Sequence, residues 1–348
     1  MITSPSVVCF GELLARLSPP GSKRLEQSEA LELSFGGAEA NVAVSLARFG
    51  VPVRYVTRVP DNDLGRAAAA ALRRWGVLTD AIAVGGSRIG LYFLEPGQAM
   101  RPSRVLYDRA GSSMAELEPG MIDWPAKLAG GTWFHTSGIT PAISRTAAEA
   151  TIEAVRTAKS LGLTISIDLN HRAALWRWGE TPDRVMSELV GQADVLIGNE
   201  EDADKVLGIR PTRGDVTSGQ LAAADYEPVC AEIVDRFPNL STVAITLRGS
   251  KSASHNTWSA VAWRGGPGFI EGPTYDIWPI VDRVGAGDAF VAGLIFRLLH
   301  AGADLSAALS FAVAASGLKH TIPGDLNIVR SEEVESLMGG DRSGRVRR

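Results

Sequence analysis

The sequence predicts an α/β protein in which a mostly parallel sheet is covered by helices on both faces, with a second, small β-sheet standing apart from that core. Short apolar runs alternate with stretches of helical period along most of the chain, the pattern of parallel strands joined by crossover helices. Two stretches, Glu12 to Phe35 and Gly85 to Gly111, break that rhythm with strand patterns and turn residues but no helix. With 348 residues, 45% of them hydrophobic, the chain is long enough to bury a large core.

Val7-Val8-Cys9-Phe10, closed by Gly11, reads as a buried first strand. In the stretch after it, Leu13, Ala15 and Leu17 alternate before Pro19, Pro20 and Gly21, so strands leave the core here. Glu39 to Phe49 carries Val42, Leu46 and Phe49 at helical spacing and stops at Gly50. Val53 to Val59 reads as a strand, and Leu64 to Trp75, rich in Ala and Arg, as a helix ended by Gly76. Residues 89–94 and 104–107 form a predicted hairpin around Glu95-Pro96-Gly97-Gln98. From Thr132 the rhythm resumes, with strands at 133–135, 164–169, 195–197 and 243–247. Helices are predicted at 145–161, 183–190, 200–207 and 225–237, and Gly208 to Ala224 reads as a polar surface loop. Thr257 to Trp263 and Gly268 to Glu271 suggest an antiparallel edge, and Ala289–Leu299 and Leu305–His320 two closing helices.

A formal net charge of −4 and a pI near 5.8 argue against a nucleic-acid-binding surface. Cys9 and Cys230 alone make neither a disulfide framework nor a zinc site. The first residues lack a basic, apolar leader and no later run is long enough to span a bilayer, so the expectation is a cytoplasmic protein with no membrane partner.

Two glycine-rich stretches carry the chemistry. In Asp282-Arg283-Val284-Gly285-Ala286-Gly287-Asp288, followed by an apolar run, Gly285 and Gly287 permit a tight turn that leaves amide N–H groups open at a helix start, where the helix dipole favours an anion. Asp288 would repel an anion if binding were its only task, but a general base for phosphoryl transfer to an alcohol needs a carboxylate there. An ordinary helix cap is the competing reading. Gly36-Gly37-Ala38-Glu39-Ala40-Asn41 opens an earlier helix, where the glycines let a polyhydroxylated ligand approach and Asn41 offers a donor and an acceptor. Neither standard nucleotide fingerprint, Gly-x-Gly-x-x-Gly or Gly-x-x-x-x-Gly-Lys-Ser/Thr, is present.

These two stretches, in this order and at this separation, resemble the two signatures of the ribokinase/PfkB family of carbohydrate kinases, and the resemblance covers nearly the whole chain. It implies a ribokinase-like three-layer α/β core with a small β-sheet lid, ATP and Mg²⁺ as cofactors, and phosphorylation of a sugar hydroxyl. On that reading residues 1–11, 36–85 and 112–340 form the core, 12–35 and 86–111 the lid, and 341–348 a flexible tail. The resemblance also implies a homo-oligomer paired through the lid. Catalysis would fall to Asp288 with the amides of Gly285, Ala286 and Gly287.

Within the family, Phe10 to Pro20 and Asp168-Leu169-Asn170-His171-Arg172 resemble the group of kinases acting on the acid sugar 2-keto-3-deoxygluconate. Asp168 and Asn170 sit at the end of a predicted strand, where α/β sheets present ligands, and Arg172 offers a fork suited to a carboxylate. The resemblance adds Gly37, Asn41, Tyr92, Tyr107 and Arg109 as substrate contacts. It assigns Asn199, Thr246, Arg248, Gly249, Gly285 and Gly287 to the nucleotide. Glu201 and Asp202 would serve Mg²⁺ through water, although Asp202 stands where the family pattern has Glu. Arg283 stands where many members have Thr. A neutral-sugar kinase, or a non-catalytic sugar sensor on the same fold, remains the alternative.

Overall fold

A computed structural model describes residues 7–210, 222–265, 268–300 and 302–341. Most of the expected surface loop at 208–224 and nearly all of the expected tail at 341–348 lie outside the described residues. The chain begins with β1 (Val7–Phe10), β2 (Leu14–Ser18), β3 (Glu32–Gly36), α1 (Ala38–Arg48), β4 (Val53–Val56), β5 (Arg58–Val59) and α2 (Asp63–Arg73). It continues through β6 (Ala83–Val84), β7 (Gly90–Glu95), β8 (Arg104–Asp108), α3 (Trp124–Leu128), β9 (Trp133–Ser137), α4 (Ile139–Ile143), α5 (Arg145–Ser160) and β10 (Thr164–Asp168). Then follow α6 (Pro182–Val190), β11 (Val195–Asn199), α7 (Asp202–Leu207), α8 (Glu227–Arg236), β12 (Thr242–Ser252), β13 (His255–Trp263), β14 (Phe269–Glu271) and β15 (Tyr275–Ile277). Three helices, α9 (Ala286–Leu298), α10 (Leu305–Lys319) and α11 (Ser331–Met338), close the chain.

The main sheet runs β14-β13-β12-β11-β10-β9-β1-β4, with β15 also on β13. From β12 to β4 every pairing is parallel; β13, β14 and β15 add the antiparallel edge. Because side chains alternate across a strand, β1 sends Val7 and Cys9 into one apolar layer and Val8 and Phe10 into the other. Helices α1, α2, α9, α10 and α11 cover the first face, and α3, α5, α6, α7 and α8 the second. Each fully buried Val, Leu or Phe in these layers contributes about 1.5–3 kcal/mol. Strand prediction overran at 53–59, because the chain leaves the main sheet after Val56 and Arg58–Val59 pairs instead with β6.

The small sheet has the order β3-β2-β7-β8. Strands β7 and β8 form the expected hairpin, and β2 joins it in parallel from far away in sequence, Arg16 opposite Tyr92. Its outer strands are the more exposed, with Leu33, Val105 and Leu106 open to solvent. Among the described residues, no helix is long and apolar enough to cross a membrane.

Candidate functional site

Both glycine-rich turns end at helix starts on the same side of the sheet, and they meet. Gly37 caps α1, and a side chain there would collide with the Glu12 carbonyl oxygen, at 2.1 Å from its Cβ. Gly285 caps α9 in the left-handed region (φ 81°), and a Cβ would lie 1.9 Å from the Asp325 carbonyl oxygen. A residue with a side chain fits neither turn. Helix α9 begins at Ala286, three residues earlier than its apolar pattern suggests, so Gly287 and Asp288 belong to its first turn. First-turn N–H groups lack intrahelical acceptors. The Ala286 N–H is already spoken for, donating to the Arg283 carbonyl (3.3 Å), which leaves Gly285, Gly287 and Asp288 as the donors freer to meet an anion.

These turns border a cavity of about 340 Å³. Gly37, Asn41, Tyr92, Tyr107, Arg109, Asp168, Asn170, Arg172, Asn199, Asp202, Thr246, Arg248, Gly285, Ala286, Gly287 and Asp288 all line it. Two expected residues do not. Gly249 lies in the β12–β13 ladder opposite Thr257, where the alternation of the strand turns it away. Glu201 stands before α7, and its neighbour Glu200 faces the cavity instead.

Asp288 is the centre of the charge arrangement. Asn41, itself fixed by the Gly37 N–H to its Oδ1 (3.3 Å), donates through Nδ2 to Asp288 Oδ2 at 2.7 Å. The Asn41 side chain is therefore shared between the turn and the acid rather than free for a ligand. Burial pushes the Asp288 carboxyl up to about 7, the Asn41 hydrogen bond opposes this, and the charges of Asp325 and Glu39 add to it. Asp168, at the end of β10, is likewise raised, first by burial and then by the charges of Asp202 and Asp288. Its Oδ1 accepts the Asn170 N–H (3.2 Å), and Asn170 adopts a positive φ of 37°.

The two cavity arginines near the small sheet differ. The Arg109 Nε donates to Glu12 Oε2 at 2.6 Å, both residues buried, so its charge is already matched within the protein. Its guanidinium also lies over the Tyr107 ring, 5.5 Å from the centroid. Arg172 is exposed at the cavity rim; it donates to the His171 carbonyl (2.8 Å), and among the described residues no carboxylate is paired with it. Arg172 is thus a cation available to an anionic ligand. Tyr92 is buried, and its hydroxyl donates to Asp325 rather than standing free.

At the opposite end of the cavity, Asn199 Oδ1 accepts the N–H groups of Glu201 (2.8 Å) and Asp202 (3.1 Å), capping α7. Both Asp202 oxygens are occupied, by the N–H of His171 (3.1 Å) and of Asn199 (2.9 Å). Glu200 was missed from sequence. Burial raises it to about 7, and its charged neighbour Arg248 lies 3.9 Å away. Glu200, a largely enclosed carboxyl, is one that an incoming cation would convert to carboxylate, whereas each Asp202 oxygen already accepts a backbone N–H. Among the described residues, no set of three His, Cys, Asp or Glu side chains forms an all-protein metal cage. Arg283 also lines the cavity, and its Nη2 donates to the carbonyls of Ser252 (3.0 Å) and Ala253 (2.8 Å), tying down the β12–β13 turn.

Comparison with known proteins places the same features in a family. The model of the pfkB family of carbohydrate kinases matches residues 4–330. A 2-dehydro-3-deoxygalactonokinase of Haloferax volcanii is 36% identical over 97% of this chain and 98% of its own. A fructokinase of Oryza sativa is 28% identical over 96% of this chain and 98% of its own. The crystal structure of a 2-dehydro-3-deoxygluconokinase from Thermotoga maritima superposes with a TM-score of 0.90 at 45% identity, covering 97% of this chain and all of that one.

Proposed function

This chain belongs to the pfkB family of carbohydrate kinases, and from that premise we propose that it transfers the γ-phosphoryl group of ATP to the primary hydroxyl of a 2-keto-3-deoxy sugar acid of the 2-keto-3-deoxygluconate type. The observation that carries the sugar-acid reading is Arg172, an exposed cavity cation that forms no salt bridge among the described residues, in the same cavity as Asp288. A neutral hexose or pentose has no group to match that charge.

Asp288 accepts the proton of the attacking hydroxyl. Asn41 holds Oδ2, which leaves Oδ1 to face the sugar, and a carboxyl poised near 7 is half ionised at neutral pH. The first-turn N–H groups of α9 stabilise charge on the transferring phosphoryl group. Tyr107 and Tyr92, on the small sheet, enclose the sugar from above, with the Arg109–Glu12 pair shaping that wall. Thr246 and Arg248 lie at the nucleotide end. Mg²⁺ bound with the nucleotide would neutralise phosphate charge, with Glu200 as the side chain placed to hold it or its waters. The exposed Leu33, Val105 and Leu106 of the small sheet support a homo-oligomer formed through that sheet.

An ADP-release assay on a panel of 2-keto-3-deoxygluconate, 2-keto-3-deoxygalactonate, fructose and ribose tests this reading. Turnover of either acid with kcat/KM well above both neutral sugars is expected. Preference for a neutral sugar, or no turnover at all, defeats it, the latter in favour of a sugar sensor.

A further inference from the structure

Arg16 belongs to β2 of the small sheet, yet its side chain leaves that sheet for the loops beneath the anion turn. Its Nη2 donates to Asp282 Oδ2 at 2.7 Å and its Nη1 to Asp325 Oδ1 at 2.5 Å, while Nε donates to Ser18 Oγ at 2.9 Å. All three charged groups are 10% exposed or less. Each carboxylate is built into one of the loops that shape the turn. Asp282 Oδ1 accepts the Val284 N–H (3.0 Å) and Oδ2 the Gly324 N–H (3.1 Å). Asp325 places its carbonyl oxygen against Gly285 and its other carboxylate oxygen on the Tyr92 hydroxyl of β7. One guanidinium therefore spans two loops, and the strand that carries Tyr92 joins the same cluster.

Two carboxylates behind an anion turn oppose the binding of phosphate. Arg16, with the buried Lys319 that donates to the Asp282 carbonyl (3.2 Å), offsets them. A fork reaches both acids at fixed angles; a point charge on a flexible stem neutralises without fixing the angle between them.

We propose that Arg16 is a positioning residue for phosphoryl transfer, which locks the anion turn to the small sheet and so couples nucleotide binding to sugar binding. The inference rests on the kinase reading above. Arg16 touches neither reactant in this arrangement: it is absent from the cavity wall and acts through Asp282 and Asp325.

The test uses the full chain with Arg16→Gln, Arg16→Lys and the nearly isosteric Asp325→Asn, and Ser18→Ala as a control that loses only the Nε bond. Calorimetry measures ADP affinity with and without saturating sugar acid, steady-state kinetics give kcat and KM, and thermal melts report folding. In the parent, the sugar acid tightens ADP binding, and by linkage ADP tightens sugar binding equally. In Arg16→Gln, kcat falls on the order of 10²-fold with sugar KM little changed, and the ADP affinity ratio collapses towards one. Arg16→Lys recovers part of kcat but not the ratio; Ser18→Ala matches the parent. Should Arg16→Gln not fold, Asp325→Asn carries the same expectation.

Parent-like kcat and affinity ratio in the folded variants overturn the proposal, as does a parent that turns over the sugar acid but shows no coupling. A lower melting temperature with parent-like kcat per folded molecule also overturns it, since that is a structural role alone. If the parent turns over no sugar acid, it is the functional reading that fails. ADP affinity without sugar, weakened in Arg16→Gln or unchanged, then still supports or overturns the lock on the anion turn.

Discussion

Asn41 and Asp288, 247 residues apart in sequence, are joined by a 2.7 Å hydrogen bond from Nδ2 to Oδ2. The bond favours the carboxylate and so pulls the Asp288 carboxyl down against the effect of its burial. The kcat/KM profile of the parent, which reports the free enzyme, therefore has an acid limb near pH 7, falling about tenfold per pH unit below it. Asn41→Ala removes the restraining bond, so the limb moves to higher pH; a limb that stays in place assigns it to another group.

Asp288→Asn keeps the shape of the site and removes the proton acceptor. Turnover falls by about 10²–10⁴-fold. Nucleotide affinity, measured by calorimetry, is retained or improved because a negative charge has left the anion turn. A variant that keeps most of its turnover would show the base to be elsewhere.

Arg172→Ala separates acid from neutral sugars. A hydrogen bond to a charged group contributes about 1.5–3 kcal/mol. Arg172 is exposed at the rim, so the low end applies, about a tenfold rise in KM for the acid that shrinks further in high salt. Activity on neutral sugars changes little, and an equal loss on both kinds of sugar removes the support for carboxylate recognition.

Gly285→Ala tests the anion turn without altering any charge. The new methyl group would sit 1.9 Å from the Asp325 carbonyl oxygen in a residue with φ 81°. The turn must open, at a cost of about 1–3 kcal/mol of stability with loss of nucleotide affinity. A parent-like melting curve with intact ADP binding contradicts this account of the glycine.

Five buried carboxyls should each lower the stability of the unliganded protein as pH rises from about 4 through their raised values. Asp288 and Glu200 are raised to about 7, and Asp168, Asp202 and Glu39 are raised as well, burial leading in each. In that window each of these carboxyls holds more proton in the folded protein than in the unfolded chain and so favours unfolding as pH rises. His135 and His320, lowered by burial to about 3 and about 4, act in the opposite direction up to about pH 6.5. Glu200→Gln removes one such group, and melting temperatures across the window should flatten relative to the parent; an unchanged slope excludes Glu200 as a contributor.

The sequence by itself determined the α/β class, the order of the main strands and helices of the core apart from α3, α4 and α11, the separate small sheet and the two turns that meet at the cavity. These are local properties: hydrophobic period is fixed by backbone geometry, and the glycines of the two turns mark backbone that a side chain would obstruct. Only the tertiary structure decided which charges are spent and which are free. Arg109 and Arg172 look alike in a sequence, but folding sets Glu12 against the first and leaves the second at the rim. Glu200, Glu201 and Asp202 form one acidic run until the start of α7 sends Glu200 to the cavity, turns Glu201 away and sets a backbone donor on each Asp202 oxygen. The Arg16 fork joins residues 266 and 309 positions apart. No local pattern encodes such pairs, because an ion pair depends on the distance and burial that long-range packing alone creates.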